Sequence, residues 1–317
     1  MSFIKYIPFT ELSEDSSCVL CLGNFDGVHI GHAELVRSTI KMKDKLSDKH
    51  PNLRATALCF SMLPANYFGN KSIKNLITLD EKIGIFKSLG LDGVYVCDFG
   101  QLCNYSPERF ICDILFDRCN AVGAVCGFNY SFGAKASGSP ETLGKYFLEK
   151  GYSVQIVDPV KIDGKVASST LVRECISLGD FEMANAVLGR AYSITHTVVH
   201  GKNLGTKLGF PTINHVFNED DAQIIPAYGI YATKTEIDGA LYTSVTNVGT
   251  RPTVSTSGVI TCETHIIDTE VPDGLYGKTA RVYFFKKLRD EMRFSSKDEL
   301  SAAIANDVSA TKEFFKK

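Results

Sequence analysis

No excess charge of one sign runs through this sequence: 34 Lys and Arg face 36 Asp and Glu, for a formal net charge of −2. Without a basic surplus there is no electrostatic case for gripping nucleic acid or an anionic membrane. No apolar run approaches the length that crosses a bilayer, and Met1–Pro8 does not read as a signal peptide, so no membrane partner is expected. Two familiar glycine signatures, Gly-x-Gly-x-x-Gly and Gly-x-x-x-x-Gly-Lys-Ser/Thr, are also missing, which leaves a dinucleotide fold or a P-loop ATPase little support. Cysteine is not scarce, with ten residues, but the close pair Cys18 and Cys21 has no second knuckle to complete a zinc site. In a strand those two thiols point to opposite faces. They read as small apolar core residues in a reducing cytoplasm.

What is present is ordinary for a soluble globular protein, with 44% hydrophobic and 22% charged residues, and 317 residues suit two domains better than one. The chain is organised around Leu22-Gly23-Asn24-Phe25-Asp26-Gly27-Val28-His29-Ile30-Gly31-His32. An apolar run, Cys18–Leu22, precedes it as a buried strand, and Ala33–Ile40 follows as a helix. Glycines between strand and helix let backbone amides approach a ligand, and the helix N-terminus adds unsatisfied N–H groups and a positive dipole end. That suits a phosphate. His29 and His32, three apart, lie on one side of the first turn and could donate to phosphate oxygens. A plain glycine-rich turn with two incidental histidines is the competing reading.

Strand and helix patterns then alternate. Arg54–Phe60, Gly93–Phe99, Ala121–Gly127 and Ser153–Val157 read as strands; Leu79–Leu89, a segment opened by Ser106-Pro107, and Thr142–Lys150 read as helices. This implies a parallel, doubly wound sheet, in which ligands bind beyond the carboxyl ends of the strands at the switch point. Gly127–Gly133, containing Asn129 and Phe132, and Ser168-Ser169-Thr170-Leu171-Val172-Arg173, at the mouth of a helix, are expected to share the site.

A domain boundary is expected near residue 185, giving domains 1–185 and 186–317. Beyond Leu188-Gly189-Arg190 come short alternating strands, the hairpin signal Asp238-Gly239 and a last helix, Ser296–Phe315, with Leu300, Ile304 and Val308 on one stripe. A small antiparallel barrel plus a C-terminal helix follows, so the class is α/β plus β. Gly201–Asn214 carries glycines at intervals of four with Lys202 and Lys207, a loop whose amides can turn on an anion. Thr212 and Asn214 face one way in extended chain and could ligate Mg²⁺. Glu263 and His265 share a strand face, where Glu263 could act as general base. Asn247–Thr253 reads as a polar loop bounding a pocket. A glycine-rich hairpin and a solvated strand face are the competing readings.

These motifs carry a resemblance. Gly-Asn-Phe-Asp-Gly-Val-His-x-Gly-His and Ser-Ser-Thr-x-x-Arg resemble bacterial FAD synthetases of the nucleotidyltransferase superfamily. Gly-Phe-Pro-Thr-x-Asn, Asn-x-Gly-x-Arg-Pro-Thr, Glu-x-His with Leu275-Tyr276-Gly277, and Leu288-Arg289-Asp290-Glu291-Met292-Arg293-Phe294 resemble riboflavin kinase. Together they span nearly the whole chain and resemble the bifunctional bacterial riboflavin kinase/FMN adenylyltransferase family. The family pattern differs at Leu63, Asn129, Ser131 and Val166.

The resemblance implies a Rossmann-like adenylyltransferase domain and a six-stranded antiparallel barrel kinase domain. It implies ATP binding by Gly23, Asn24, Phe25, Asp26, Gly27, Gly31, Ser168, Ser169, Thr170 and Arg173 around His29 and His32, with flavin at Asn129 and Phe132. In the kinase it implies ATP at Gly201, Lys207, Gly209, Pro211 and Asn247, flavin at Arg289 and Phe294, Glu263 as base, and Mg²⁺ on Thr212 and Asn214. Expected partners are riboflavin, FMN, FAD, ATP, ADP and pyrophosphate, in a cytoplasmic monomer or transient oligomer. Two rival readings stand beside it: a kinase whose adenylyltransferase module is weak or inactive, and a flavin sensor without turnover.

Overall fold

The computed structural model describes residues 3–7, 16–69, 73–200, 205, 208–217, 222–251, 259–269 and 274–316. The chain divides into two compact units, Met1–Ser169 and Thr170–Lys317.

In the first unit, β1 (Ile4–Ile7), β2 (Cys18–Leu22), β3 (Arg54–Phe60), β4 (Gly93–Cys97), β5 (Ala121–Gly127) and β6 (Ser153–Val157) form one sheet in the order β1-β4-β3-β2-β5-β6. Every pair in it is parallel. The central strands β2, β3, β4 and β5 are buried along nearly their whole length, as expected of a parallel sheet covered on both faces. Cys18 packs in one core cluster and Cys21 in the other, as their spacing requires. All ten cysteines are free thiols. Helix α1 (Ile30–Leu46) follows β2, and α2 (Leu79–Ser88) opens with a Thr78/Glu81 capping box. Ser106 caps Pro107–Arg109, which continues as a wider turn over Phe110–Phe116. Helix α3 (Pro140–Glu149) precedes β6, and a two-stranded ribbon, β7 (Lys161–Ile162) and β8 (Lys165–Val166), follows it. Chain order reverses at β2, which has β3 on one side and β5 on the other, so the loop after β2 sits at the switch point.

Helix α4 (Ser169–Leu178) begins at the division between the units. Helix α5 (Phe181–Leu188) ends on Gly189 in the left-handed conformation and packs Phe181 on Tyr192, Tyr231 and Phe284 within the second unit. Strands β9 (Tyr192–Thr197), β10 (Thr212–Phe217), β11 (Gly229–Ile237), β12 (Ala240–Arg251), β13 (Val259–Ile266) and β14 (Thr279–Arg289) pair antiparallel in the order β10-β13-β12-β11-β14-β9. A bridge between Val199 and Asn214 joins the two edges, curling the sheet into a barrel. Asp238 and Gly239, at φ 50° and 82°, make the tight β11–β12 turn. Residues 247–251, expected as a loop, instead continue β12: Asn247 and Gly249 pair with Glu263 and Thr261 of β13. Inside the barrel, Thr233, Thr235, Ser244, Thr246 and Thr264 are buried and linked by their hydroxyls. Helix α6 (Lys297–Phe315), capped by Ser296, lays Val308 against an outer-face cluster of Ile230, Val245 and Ile267.

Candidate functional site

In the first unit the loop between β2 and α1 is shaped by three positive φ angles: Phe25 at 51°, Gly27 at 79° and Val28 at 40°. A β-branched residue in that region is strained, and such strain concentrates at binding loops. Phe25 is fully buried and packs edge-on against Phe86, with its ring 5.2 Å from that of His32. The buried Asp26 carboxylate accepts from the Leu76 N–H at 3.0 Å, and the Ser169 hydroxyl donates to the Asp26 carbonyl oxygen at 2.8 Å. The rings of His29 and His32 stack with centroids 3.7 Å apart. Gly31 lies under His29, and a Cβ there would press on that imidazole at 3.1 Å. No acidic side chain occupies the first turn of α1. The loop is therefore a backbone turn at a positive dipole end, flanked by paired imidazoles, which suits a polyphosphate.

The other expected residues of this unit divide. Asn129 is exposed just beyond β5, whereas Phe132 is buried and packs on Phe110 and Tyr130. Ser168 and Ser169 stand at the entry to α4; Thr170 and Arg173 lie further along that helix, past the unit division. Beyond the carboxyl ends of β3 and β4, Phe60, Tyr67, Phe68 and Phe99 form an edge-to-face ring cluster, with Tyr67 and Phe68 exposed.

In the second unit strand register creates the site. Asn214 pairs with Glu263, Glu263 with Asn247, Asn247 with Ile230, and Ile230 with Arg289. These residues make one row across five strands, on one face. The next row on that face is Thr212, His265 and Val245. A pocket of about 280 Å³ lies over both rows, walled on its other side by Phe294 and by Leu300, Ile304 and Asp307. Thr212, Asn247, Glu263, Arg289 and Phe294, all expected from sequence, line it. Asn214 is buried, and its amide nitrogen donates to the Thr212 carbonyl oxygen at 3.2 Å. The Asn247 side-chain oxygen is buried with no hydrogen-bond partner among the described residues, an acceptor that a ligand would satisfy. Pro211 offers its carbonyl oxygen to the His265 ring at 2.9 Å. Gly209 adopts φ 85° in an exposed turn. Gly201, Lys202, Lys207, Pro252 and Thr253 fall outside the described residues.

Sequence reasoning left Asp307, Glu291 and Met292 of the pocket without a role. Arg289 makes a two-pronged ion pair with the buried Asp307 of α6, at 3.0 and 2.7 Å, which holds the helix over the barrel face. Glu291 lays its carboxylate against Gly249, where burial pushes its pKa up and where any Cβ would collide with it. Met292 closes the rim. Asp307 was detectable as a charge beside Ile304 and Val308 on a helix stripe that is otherwise apolar.

A glycine-bounded loop carrying His-x-Gly-His at the switch point of a parallel sheet resembles the nucleotidyltransferase arrangement, and a carboxylate set among amide and hydroxyl oxygens on a barrel face suits a kinase-type site. The class is a two-site, nucleotide-dependent transferase. Family comparison agrees for each half separately: residues 11–171 match the FAD synthetase family model and residues 188–315 the riboflavin kinase family model. Bifunctional riboflavin kinase/FMN adenylyltransferases from Listeria monocytogenes and Escherichia coli K12 are each 32% identical to this chain, covering 97% and 99% of it and 96% and 98% of themselves. A crystal structure titled as a macrolide-efflux protein of Streptococcus pneumoniae superposes with a TM-score of 0.86 at 29% identity, covering 98% of this chain and 99% of its own. No helix among the described residues is long and apolar enough to cross a membrane. The chain belongs to the bifunctional riboflavin kinase/FMN adenylyltransferase family.

Proposed function

We propose that the two units carry the family's two ATP-dependent steps at separate sites, with the roles assigned below. The chain phosphorylates riboflavin to FMN and adenylylates FMN to FAD, releasing pyrophosphate. The match to both family models and to full-length bifunctional relatives favours two activities over a kinase with an idle partner or a sensor without turnover.

In the kinase unit Glu263 accepts the proton of the riboflavin 5′-hydroxyl as that oxygen bonds to the γ-phosphorus of ATP; the bond to the β-bridging oxygen breaks and ADP leaves. The five-strand row carries this reading, because it sets Glu263 between two amide side chains and one row from Thr212. The apolar wall of Leu300, Ile304 and Phe294 suits a flavin ring and excludes water. The donor set fits Mg²⁺: Thr212 and Asn214 offer oxygens, with the unsatisfied Asn247 oxygen and the Glu263 carboxylate alongside. When bound there with ATP, Mg²⁺ neutralises phosphate charge. Gly201, Lys207, Gly209 and Pro211 are assigned to the triphosphate on the resemblance.

In the adenylyltransferase unit an FMN phosphate oxygen bonds to the α-phosphorus of ATP and pyrophosphate leaves. No base is needed, since the nucleophile is already ionised. Residues 23–27, His29, Gly31 and His32 hold the phosphates by N–H donation, with Ser168, Ser169, Thr170 and Arg173 assigned to the same nucleotide on the resemblance. Asn129 and the exposed rings of Tyr67 and Phe68 supply a polar and a stacking surface for the flavin. The working boundary between activities is placed near residue 185, and the protein is read as a cytoplasmic monomer or transient oligomer.

The test is chromatography of products from riboflavin, ATP and Mg²⁺, with FMN supplied separately. FMN and then FAD are expected, both lost on chelation. Failure of either product under varied metal and reductant refutes the corresponding half.

A further inference from the structure

Lys82 sits where a charged side chain is least expected. Its position in α2 falls on the buried stripe of Ile83 and Phe86, and the residue is only 7% exposed. Its ammonium donates to the Asn24 carbonyl oxygen, in the loop between β2 and α1, at 3.4 Å. Among the described residues no carboxylate forms an ion pair with it. A buried ammonium without a counter-charge is costly, and a folded protein retains one where an anion completes the site. The candidate phosphate cradle begins one residue before the carbonyl that Lys82 holds. The same charge reaches Cys59 at the end of β3: burial pushes that thiol up to about 11, with Lys82 acting in the opposite direction.

We propose that Lys82 is a positioning residue for adenylyl transfer: it fixes the Asn24 carbonyl from beneath, so that the loop amides face the ligand, and its charge is balanced by the nucleotide phosphates when they bind. The proposal rests on the reading of residues 23–32 as the ATP cradle and adds a group that neither the motif nor the resemblance assigns. It differs from a packing role in one consequence. Removing the charge should weaken nucleotide use without weakening the unliganded fold, because the unliganded unit carries the desolvation cost without the compensating anion.

The test uses the full chain with Lys82→Met and Lys82→Gln, the second keeping an N–H donor for Asn24 without the charge. Three quantities are measured: kcat/KM for ATP in FAD formation from supplied FMN, riboflavin phosphorylation in the same preparation, and hydrogen exchange of residues 18–36 without nucleotide. Lys82→Met should lower kcat/KM for ATP at least tenfold, Lys82→Gln should fall between it and wild type, and phosphorylation should stay within twofold. Exchange should match that of wild type in Lys82→Gln, which keeps a donor for the Asn24 carbonyl, and any quickening should be confined to Lys82→Met, which lacks one. FAD formation within twofold of wild type in both variants overturns the proposal. So does a loss of FAD formation accompanied in both variants by faster exchange of the unliganded loop, which would make Lys82 a packing residue. A wild-type chain that forms no FAD would instead refute the reading of the cradle.

Discussion

Acid should loosen the barrel through one side chain, His215. It is fully buried on β10, facing the barrel interior, and neither ring nitrogen has a hydrogen-bond partner among the described residues. Its titratable neighbours are His196 on β9, with ring centroids 6.1 Å apart, and Cys262 on β13, its register partner. Burial first, and His196 second, push the His215 pKa from 6.5 down to about 4. The unfolded chain therefore takes up a proton that the native barrel refuses. Stability is unaffected above the unfolded value, falls as pH drops below it, and levels off below the native one. The full difference is about 3 kcal/mol, of which linkage places roughly 1 kcal/mol by pH 5.5 and most by pH 4.5. Urea unfolding of the full chain followed by circular dichroism, wild type against His215→Leu, isolates this contribution because the other titrations are common to both. The wild-type transition of the barrel should move to lower urea between pH 7 and 4.5 by that amount more than the variant's. Parallel pH profiles would show that the imidazole titrates freely, and the account of its burial would be wrong.

Other perturbations address the kinase pocket. Glu263→Gln keeps the shape of the row but not the base, so FMN formation should fall by about 10²–10⁴-fold while FAD formation from supplied FMN continues; near-normal FMN output would remove Glu263 from that role. Asp307→Ala strands Arg289 against the barrel. With Arg289 partly exposed, a loss of about 2 kcal/mol is expected, together with a raised KM for riboflavin, measurable by unfolding and by kinetics. Gly249→Ala places a Cβ on the Glu291 carboxylate, an exposed side chain able to swing aside. Stability should change by less than about 1 kcal/mol while the riboflavin KM rises severalfold, and an unchanged KM would leave Glu291 outside the substrate site.

Much of this architecture was legible from residue spacing. Asp238-Gly239 announced its hairpin because only residues tolerant of positive φ close a two-residue turn, and Ser106-Pro107 announced a helix start. Glu263, Thr212 and Asn247 could be gathered as candidates from local pattern and resemblance. Their convergence could not, since cross-strand register is a property of pairs distant in sequence. Asn247–Arg251 misled for a related reason: polar residues and a glycine look like a loop until a neighbouring carboxylate explains why the strand needs no Cβ at Gly249. Phe132 shows the opposite case. The glycine-bounded aromatic segment pointed to a ligand, but the ring itself is buried against Phe110 and Tyr130, leaving Asn129 as the exposed polar member. Lys82 and Asp307 were visible only as charges on apolar helix stripes, a signal that marks burial without naming the partner.

The two sites differ in the way their reactions require. An alcohol must lose a proton to attack phosphorus, and the kinase pocket holds Glu263 at the centre of its polar row. A phosphate monoester arrives already ionised and needs no base, and the loop after β2, the proposed ATP cradle, presents amides and imidazoles instead of a carboxylate. The one carboxylate inside that motif, Asp26, is 4% exposed and accepts from the Leu76 N–H, a bond that ties the strained loop to the chain beside it. A carboxylate directed at the bound phosphates would oppose the negative charge the cradle must stabilise. Turning Asp26 into the protein keeps its charge away from the positive end of α1, where the proposal places the nucleotide. On the proposed reading a carboxylate serves as a base at Glu263, where a proton must leave, and as a brace at Asp26, where none does.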